Sequence, residues 1–306
     1  MIHPDLHATP QGHRIGLFSI GLDTYWQQFT GLRERLESYN AEIADRLTIL
    51  GAHVVNLGMI DTAEKAVAAG HAFRQADVDL IFLHVSTYAL SSTVLPVVRR
   101  ANVPVILLNL SPTAAIDYAS FNQMPDRTAM TGDWLANCQA CSVPEISNVF
   151  KRCGIAFHQV AGLLDPADQA WTEIEQWLNA SRVAHQMEHN RLGIMGHYYS
   201  GMLDIYSDLT LQSATFGTHL QILEVDELSA LRREVTPAQI ADRVALTRNL
   251  FDVQPDCWHA ELERADQGLA FDHELVLRRL AGTGEAAVLD AFLAVVERAR
   301  HQGMRE

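Results

Sequence analysis

The densest group of side chains able to do chemistry is the string His197-Tyr198-Tyr199-Ser200-Gly201-Met202-Leu203-Asp204. Aromatic rings stack on the apolar face of a pyranose or furanose, while a carboxylate and an imidazole bond its hydroxyls. The string therefore predicts sugar contact through His197, Tyr199, Met202 and Asp204; the competing reading packs Tyr198, Tyr199 and Tyr206 into a domain interface. His84 lies near the end of an apolar run, where a doubly wound sheet presents residues to a ligand. Its alternative is a hydrogen-bonded strand-end histidine. Cys138-Gln-Ala-Cys141 has metal or redox spacing, but no second pair or paired histidines accompany it, so two structural cysteines inside a helix are expected. His185 and His189 sit four apart on a helix beside Glu188, a chelating spacing, yet two ligands rarely make a site and no metal is assigned there.

Other chemistries lack their signatures. The segment after the first apolar run, SIGLDTYW, offers one glycine where a dinucleotide fingerprint needs three. No phosphate-cradling loop and no G-x-S-x-G nucleophile elbow occurs, and Lys65 and Lys151 are the only lysines. A formal charge of −14 without a basic stripe argues against nucleic acid and anionic membranes as partners. No apolar run approaches the roughly 20 residues that span a bilayer. Residues 1–13, with His3, His7 and His13, lack the pattern of a secretory signal and read as a disordered arm. The chain is accordingly expected to be cytoplasmic, with Cys138, Cys141, Cys153 and Cys257 as reduced thiols.

The elements that must position these residues follow from periodicity. Residues 14–20, 53–57, 79–85 and 103–110 are apolar runs without polar alternation, the pattern of strands buried on both faces of a parallel sheet. Leu32, Leu36, Ile43, Leu47 and Leu50 recur at helical spacing before Gly51, which gives β-α-β. Asp61-Thr-Ala-Glu64 reads as a capping box opening the next helix, and Pro96 is tolerated only in the first turn of a helix after Ser91 and Ser92. Residues 117–131 lose the pattern and form the predicted functional loop; a helix over 131–152, a fifth strand over 154–161 and a helix over 171–187 follow. Beyond a boundary at residue 187, strands at 191–196 and 220–225 and a helix at 237–251 suggest a second α/β unit. The last stretch reads as helices separated at Gly282-Thr-Gly284. The predicted architecture is α/β: two doubly wound, Rossmann-like parallel-sheet domains, residues 14–187 and 188–306, with a helical C-terminal end.

Four segments together resemble the L-arabinose/L-fucose isomerase family, nearest its arabinose-isomerase-like branch: DWLANCQACSVPEISNVFKRCGI from Asp133, GHYYSGMLDIYSDLT from Gly196, TFGTHLQILEVDEL from Thr215 and LFDVQPDC from Leu250. The resemblance runs from about residue 14 to about residue 266. It implies aldose–ketose isomerisation by a homo-oligomer using Mn²⁺, with the site where subunits meet. It also implies that Ser19, Leu22 and Tyr25 reach toward a neighbouring subunit's sugar and that His84 lines the sugar-facing wall. Such chemistry needs a divalent ion clamping two sugar oxygens and a carboxylate moving the proton.

The ligands for that ion have no clear positions. In Ala281-Gly-Thr-Gly-Glu285, Thr283 stands where the family's first metal glutamate belongs, and the family's later ligands lie beyond the last residue, Glu306. No catalytic and no metal residue is therefore assigned, and the chain alone is expected to be inactive. A truncation, a non-catalytic sugar-binding or scaffolding relative, and a partner subunit completing a full-length isomerase all remain open. The polar ending RARHQGMRE after paired amphipathic helices favours a natural end. A bilobed sugar receptor is the alternative outside the family, and it would cross between lobes several times.

Overall fold

A computed structural model describes residues 12–195, 201–224 and 235–250, with Asp226, Ala230 and Arg233. The chain divides into two compact units, one spanning residues 9–186 and the other holding the described residues from 187 onward.

In the first unit, β1 (Ile15–Ile20), β2 (Val54–Ile60), β3 (Leu80–Val85), β4 (Val105–Ser111) and β5 (Phe157–Leu163) form one sheet in the order β2-β1-β3-β4-β5, every pairing parallel. The central runs are apolar throughout because both faces are covered: every residue of β1 and β3 is buried. Successive side chains go to opposite faces. Leu17, Phe82, Ile106 and Leu108 pack on one side with α1 (Leu32–Ile49), α5 (Arg127–Ala136) and α7 (Ala170–Glu188). Phe18, Ile81, Leu83 and Leu107 pack on the other with α2 (Ala63–Gln75), α3 (Leu95–Ala101) and α6 (Val143–Cys153). α2 and α3 lie so close that a Cβ on Gly70 would stand 2.7 Å from the Pro96 carbonyl oxygen.

Several local expectations need correction. Thr62, not Asp61, caps α2, its side chain accepting from the Lys65 amide. The helix expected over 131–152 is two helices, α5 and α6. Pro144 has no amide proton to carry a hydrogen-bond ladder across, so it sits in the first turn of a new helix instead. Cys138 and Cys141 therefore occupy the turn between helices, and they are bonded to each other rather than held as free thiols. The loop expected over 117–131 contains α4 (Tyr118–Asn122) and the start of α5, each opened by an aspartate, Asp117 and Asp126, accepting backbone amides. His13, assigned to a disordered arm, is buried, and its Nε2 pairs with Ser181 Oγ at 3.0 Å. Residues 1–11 lie outside the described residues.

In the second unit, β6 (Arg191–Met195) and β7 (His219–Leu223) pair in parallel around α8 (Leu209–Phe216), followed by α9 (Pro237–Leu250). α8 was not anticipated; its signals are Asp208, which accepts the Leu211 amide as N-cap, and Gly217, left-handed at φ 74°. The helices expected beyond residue 258 lie outside the described residues.

Candidate ligand site at the sheet switch point

The strand order dictates where a ligand fits. From β1 the chain steps outward to β2, and from β3 it steps the other way to β4, so the connections diverge and leave a crevice at the C-terminal ends of β1 and β3. Two short segments form its rim, residues 21–30 after β1 and residues 86–90 after β3.

The first rim segment is folded back by a glycine and a tryptophan. A Cβ on Gly21 would stand 2.8 Å from the Trp26 ring, and Trp26 Nε1 donates to Asp61 Oδ2 at 2.9 Å. Asp61 also receives Lys65 Nζ at 2.6 Å. Burial pushes the Asp61 carboxyl up, but the bonds from Lys65 and Trp26 outweigh it and hold the group below its ordinary range. Tyr25 packs against Phe29 with ring centroids 5.8 Å apart. Burial raises its phenol above its ordinary value, and Tyr88 across the crevice adds to that.

The second rim segment is held by hydrogen bonds. Ser86 Oγ donates to the Ile20 carbonyl at 2.5 Å, Thr87 Oγ1 to the Leu135 carbonyl at 2.8 Å, and the Ala89 amide to Ser142 Oγ at 2.8 Å. Tyr88 and Leu90 are left exposed. Beside the rim, a cleft of about 230 Å³ is bordered by Gln28, Thr30, Arg35, Asp126 and Asp133, with Arg35 paired to Asp133 at 2.6 Å.

Beneath the rim a polar ladder runs from the exposed Asn56 into the core. The Gly58 amide donates to Asn56 Oδ1 (2.9 Å), Asn56 Nδ2 to Asn40 Oδ1 (2.7 Å), and Asn40 Nδ2 to Ser19 Oγ (2.8 Å), which pairs with His84 Nδ1 (3.0 Å). Since Ser19 accepts from Asn40, its own proton is available to Nδ1, which favours the His84 tautomer protonated at Nε2. Burial holds the His84 imidazole at about 3, with the Leu110 carbonyl offsetting only part of that. Its Nε2 has no hydrogen bond of good geometry.

The structure thus brings Ser19 and His84 together, but both are fully buried and meet each other rather than solvent. In this geometry His84 is the hydrogen-bonded strand-end histidine. Leu22 and Tyr25 lie half-buried on the rim itself. Met202 and Asp204 are exposed in the second unit, Asp204 within a 3-10 turn, Leu203–Ile205. His197 and Tyr199 lie outside the described residues. Sequence reading missed Tyr88, although it stands in the same LHVSTY string as His84, and Asn40, whose signal was an amide on the apolar stripe of α1.

A second buried polar cluster sits at the opposite end of the strands. Asp79 accepts the Arg14 amide at 2.8 Å and pairs with His185 Nδ1 at 2.6 Å, so His185 is turned to a carboxylate of the same unit. The His13 ring meets the His185 ring edge-on at 5.5 Å. Burial lowers the His13 pKa to about 4; Asp79 opposes the shift, while His185 and Arg182 add to it. Among the described residues no group of three or more His, Cys, Asp or Glu side chains could hold a metal ion, and no helix is long and apolar enough to cross a membrane.

No protein-family model matches the chain, and no curated protein matches it. Among solved structures, a GDSL-like lipase from Bacteroides thetaiotaomicron is similar at 13% identity and a TM-score of 0.29, covering 58% of this chain and 92% of that one. That likeness is too slight to inform the chemistry.

Proposed function

We propose that this protein binds a small sugar as a relative of the L-arabinose/L-fucose isomerases, with two Rossmann-like domains, and works in carbohydrate metabolism as a cytoplasmic homo-oligomer. The observation that supports this most is the switch-point rim. Tyr25, following β1, and Tyr88, following β3, come within electrostatic reach of each other over the crevice, and both are accessible enough to stack on a sugar ring. Leu22 supplies apolar surface beside them.

The described residues are assigned the holding of the sugar and not the transfer of its proton. Mn²⁺ is the cofactor that the resemblance implies, and the described residues offer it no ligand cluster. The chain by itself is therefore expected to convert no aldose to ketose, since Thr283 stands where the family's first metal carboxylate belongs. As the subunit that completes another's site, it would raise ketose formation when mixed with a full-length isomerase.

Titration with L-arabinose and L-fucose, followed through tryptophan fluorescence with Trp26→Phe as the control that assigns the signal to the ring beside Tyr25, tests the binding. Saturable quenching is expected, and Tyr25→Ala or Tyr88→Ala is expected to weaken it about tenfold, the loss of one stacked ring. No saturable response to any aldose or ketose, with or without Mn²⁺, would overturn the proposal.

A further inference from the structure

The turn between α5 and α6 is attached to the crevice rim at several points. Gln139 Nε2 donates to the Ser86 carbonyl at 3.0 Å and to the Ala136 carbonyl at 2.7 Å. Ser142 Oγ accepts the Ala89 amide, and Leu135, just before the turn, accepts from Thr87. One turn further on, Glu145 accepts both the amide and the hydroxyl of Ser91. The rim segment over residues 86–91 thus depends on the conformation of residues 135–145.

That conformation is closed by the bond between Cys138 and Cys141. The two cysteines differ in access: Cys138 is 3% exposed, whereas Cys141 is an exposed residue. An accessible cysteine beside a buried partner three residues away is the arrangement of a pair that exchanges with external thiols, because attack is confined to one sulfur and the other resolves it. Between them, Gln139 is fully buried with Oε1 lacking a hydrogen-bond partner. An unpaired buried acceptor favours rearrangement once the closure is released.

We propose that Cys138 and Cys141 form a reversible dithiol–disulfide pair whose oxidation state sets the order of residues 86–91, and through them the affinity of the sugar site. The effect on the rim stands on the contacts above; the effect on affinity rests on the function proposed in the preceding section. Oxidation consumes one low-molecular-weight disulfide such as oxidised glutathione. The Cys141 thiolate attacks one of its sulfurs and expels a thiolate, then the Cys138 thiolate attacks Cys141 Sγ and expels the second. The protein loses two electrons and two protons, and one disulfide becomes two thiols.

The test uses the full chain carrying Cys153→Ser and Cys257→Ser, which leaves Cys138 and Cys141 as its thiols. Alkylation and mass spectrometry across a series of glutathione redox buffers are expected to show both thiols disappearing together in one transition. Amide hydrogen exchange of residues 86–91 is expected to be about tenfold faster in the reduced than in the oxidised protein, with the β5 amides unchanged. Adding Cys141→Ser should fix the fast exchange in every buffer; should that variant fail to fold, the comparison of reduced and oxidised protein decides alone. Equal exchange in the two states, or thiols that stay reduced or oxidised across the whole series, overturns the pair's control of the rim. Altered exchange with unaltered sugar affinity removes only the link to binding, and altered exchange with no sugar bound in either state removes the proposed function while leaving the rim effect.

Discussion

His84 and His13 show how a histidine that looks available can be a structural group. Each imidazole is buried neutral, at about 3 for His84 and about 4 for His13, against 6.5 when unfolded. Between those values the unfolded chain binds more protons than the folded one, so stability is complete above about pH 6.5 and falls as the pH drops toward 4. At pH 5 each is expected to cost about 2 kcal/mol relative to pH 7. Urea unfolding at the two pH values checks this: His13→Gln should shrink the difference by about that amount, and equal stability at both would contradict it. Asp79 holds two partners, the Arg14 amide and His185, while nearly buried. Asp79→Ala is expected to cost roughly 3 kcal/mol in the same measurement, because both partners are left inside without their acceptor.

The helices carry their own tests. α2 begins at a threonine cap, and Thr62→Ala is expected to lower stability by about 1 kcal/mol. Helix propensity alone would make Gly70→Ala stabilising by about 1 kcal/mol. The contact with Pro96 reverses that sign, because its carbonyl is backbone and cannot swing aside; thermal unfolding should show a net loss of roughly 1–3 kcal/mol. Neither effect is legible in the chain. Thr62 and Asp61 are both good caps by type, and only the demand of Trp26 and Lys65 on Asp61 decides which one serves the helix. Likewise the apolar spacing over 131–152 continues across the break, whereas Pro144 alone announces the second helix.

Residues 9–186 hold the whole five-stranded sheet together with the helices that cover both its faces. A fragment of residues 12–190 is therefore expected to unfold in one cooperative step, with β1 and β3 amides the most protected; non-coincident circular dichroism and fluorescence transitions would refute this. The parallel sheet itself is written in the amino-acid pattern, since runs such as IGLFSI and LIFLHV lack polar alternation and demand cover on both faces. So is the rim, because Leu22 and Tyr25 follow a strand directly and local order places them. Sequence by itself thus determined the five parallel strands and the helices α1, α2, α3 and α7 that alternate with them, through periodicity that acts over a few residues, but not α4, α8 or the break between α5 and α6. Tertiary structure alone decided that Ser19 and His84 would be spent on each other, that Tyr88 would come within electrostatic reach of Tyr25, and that Cys138 and Cys141 would close a turn beside residues 86–91. Those outcomes depend on strand order and burial, and parallel pairing brings together residues 65 apart in the chain, a distance that no local pattern encodes.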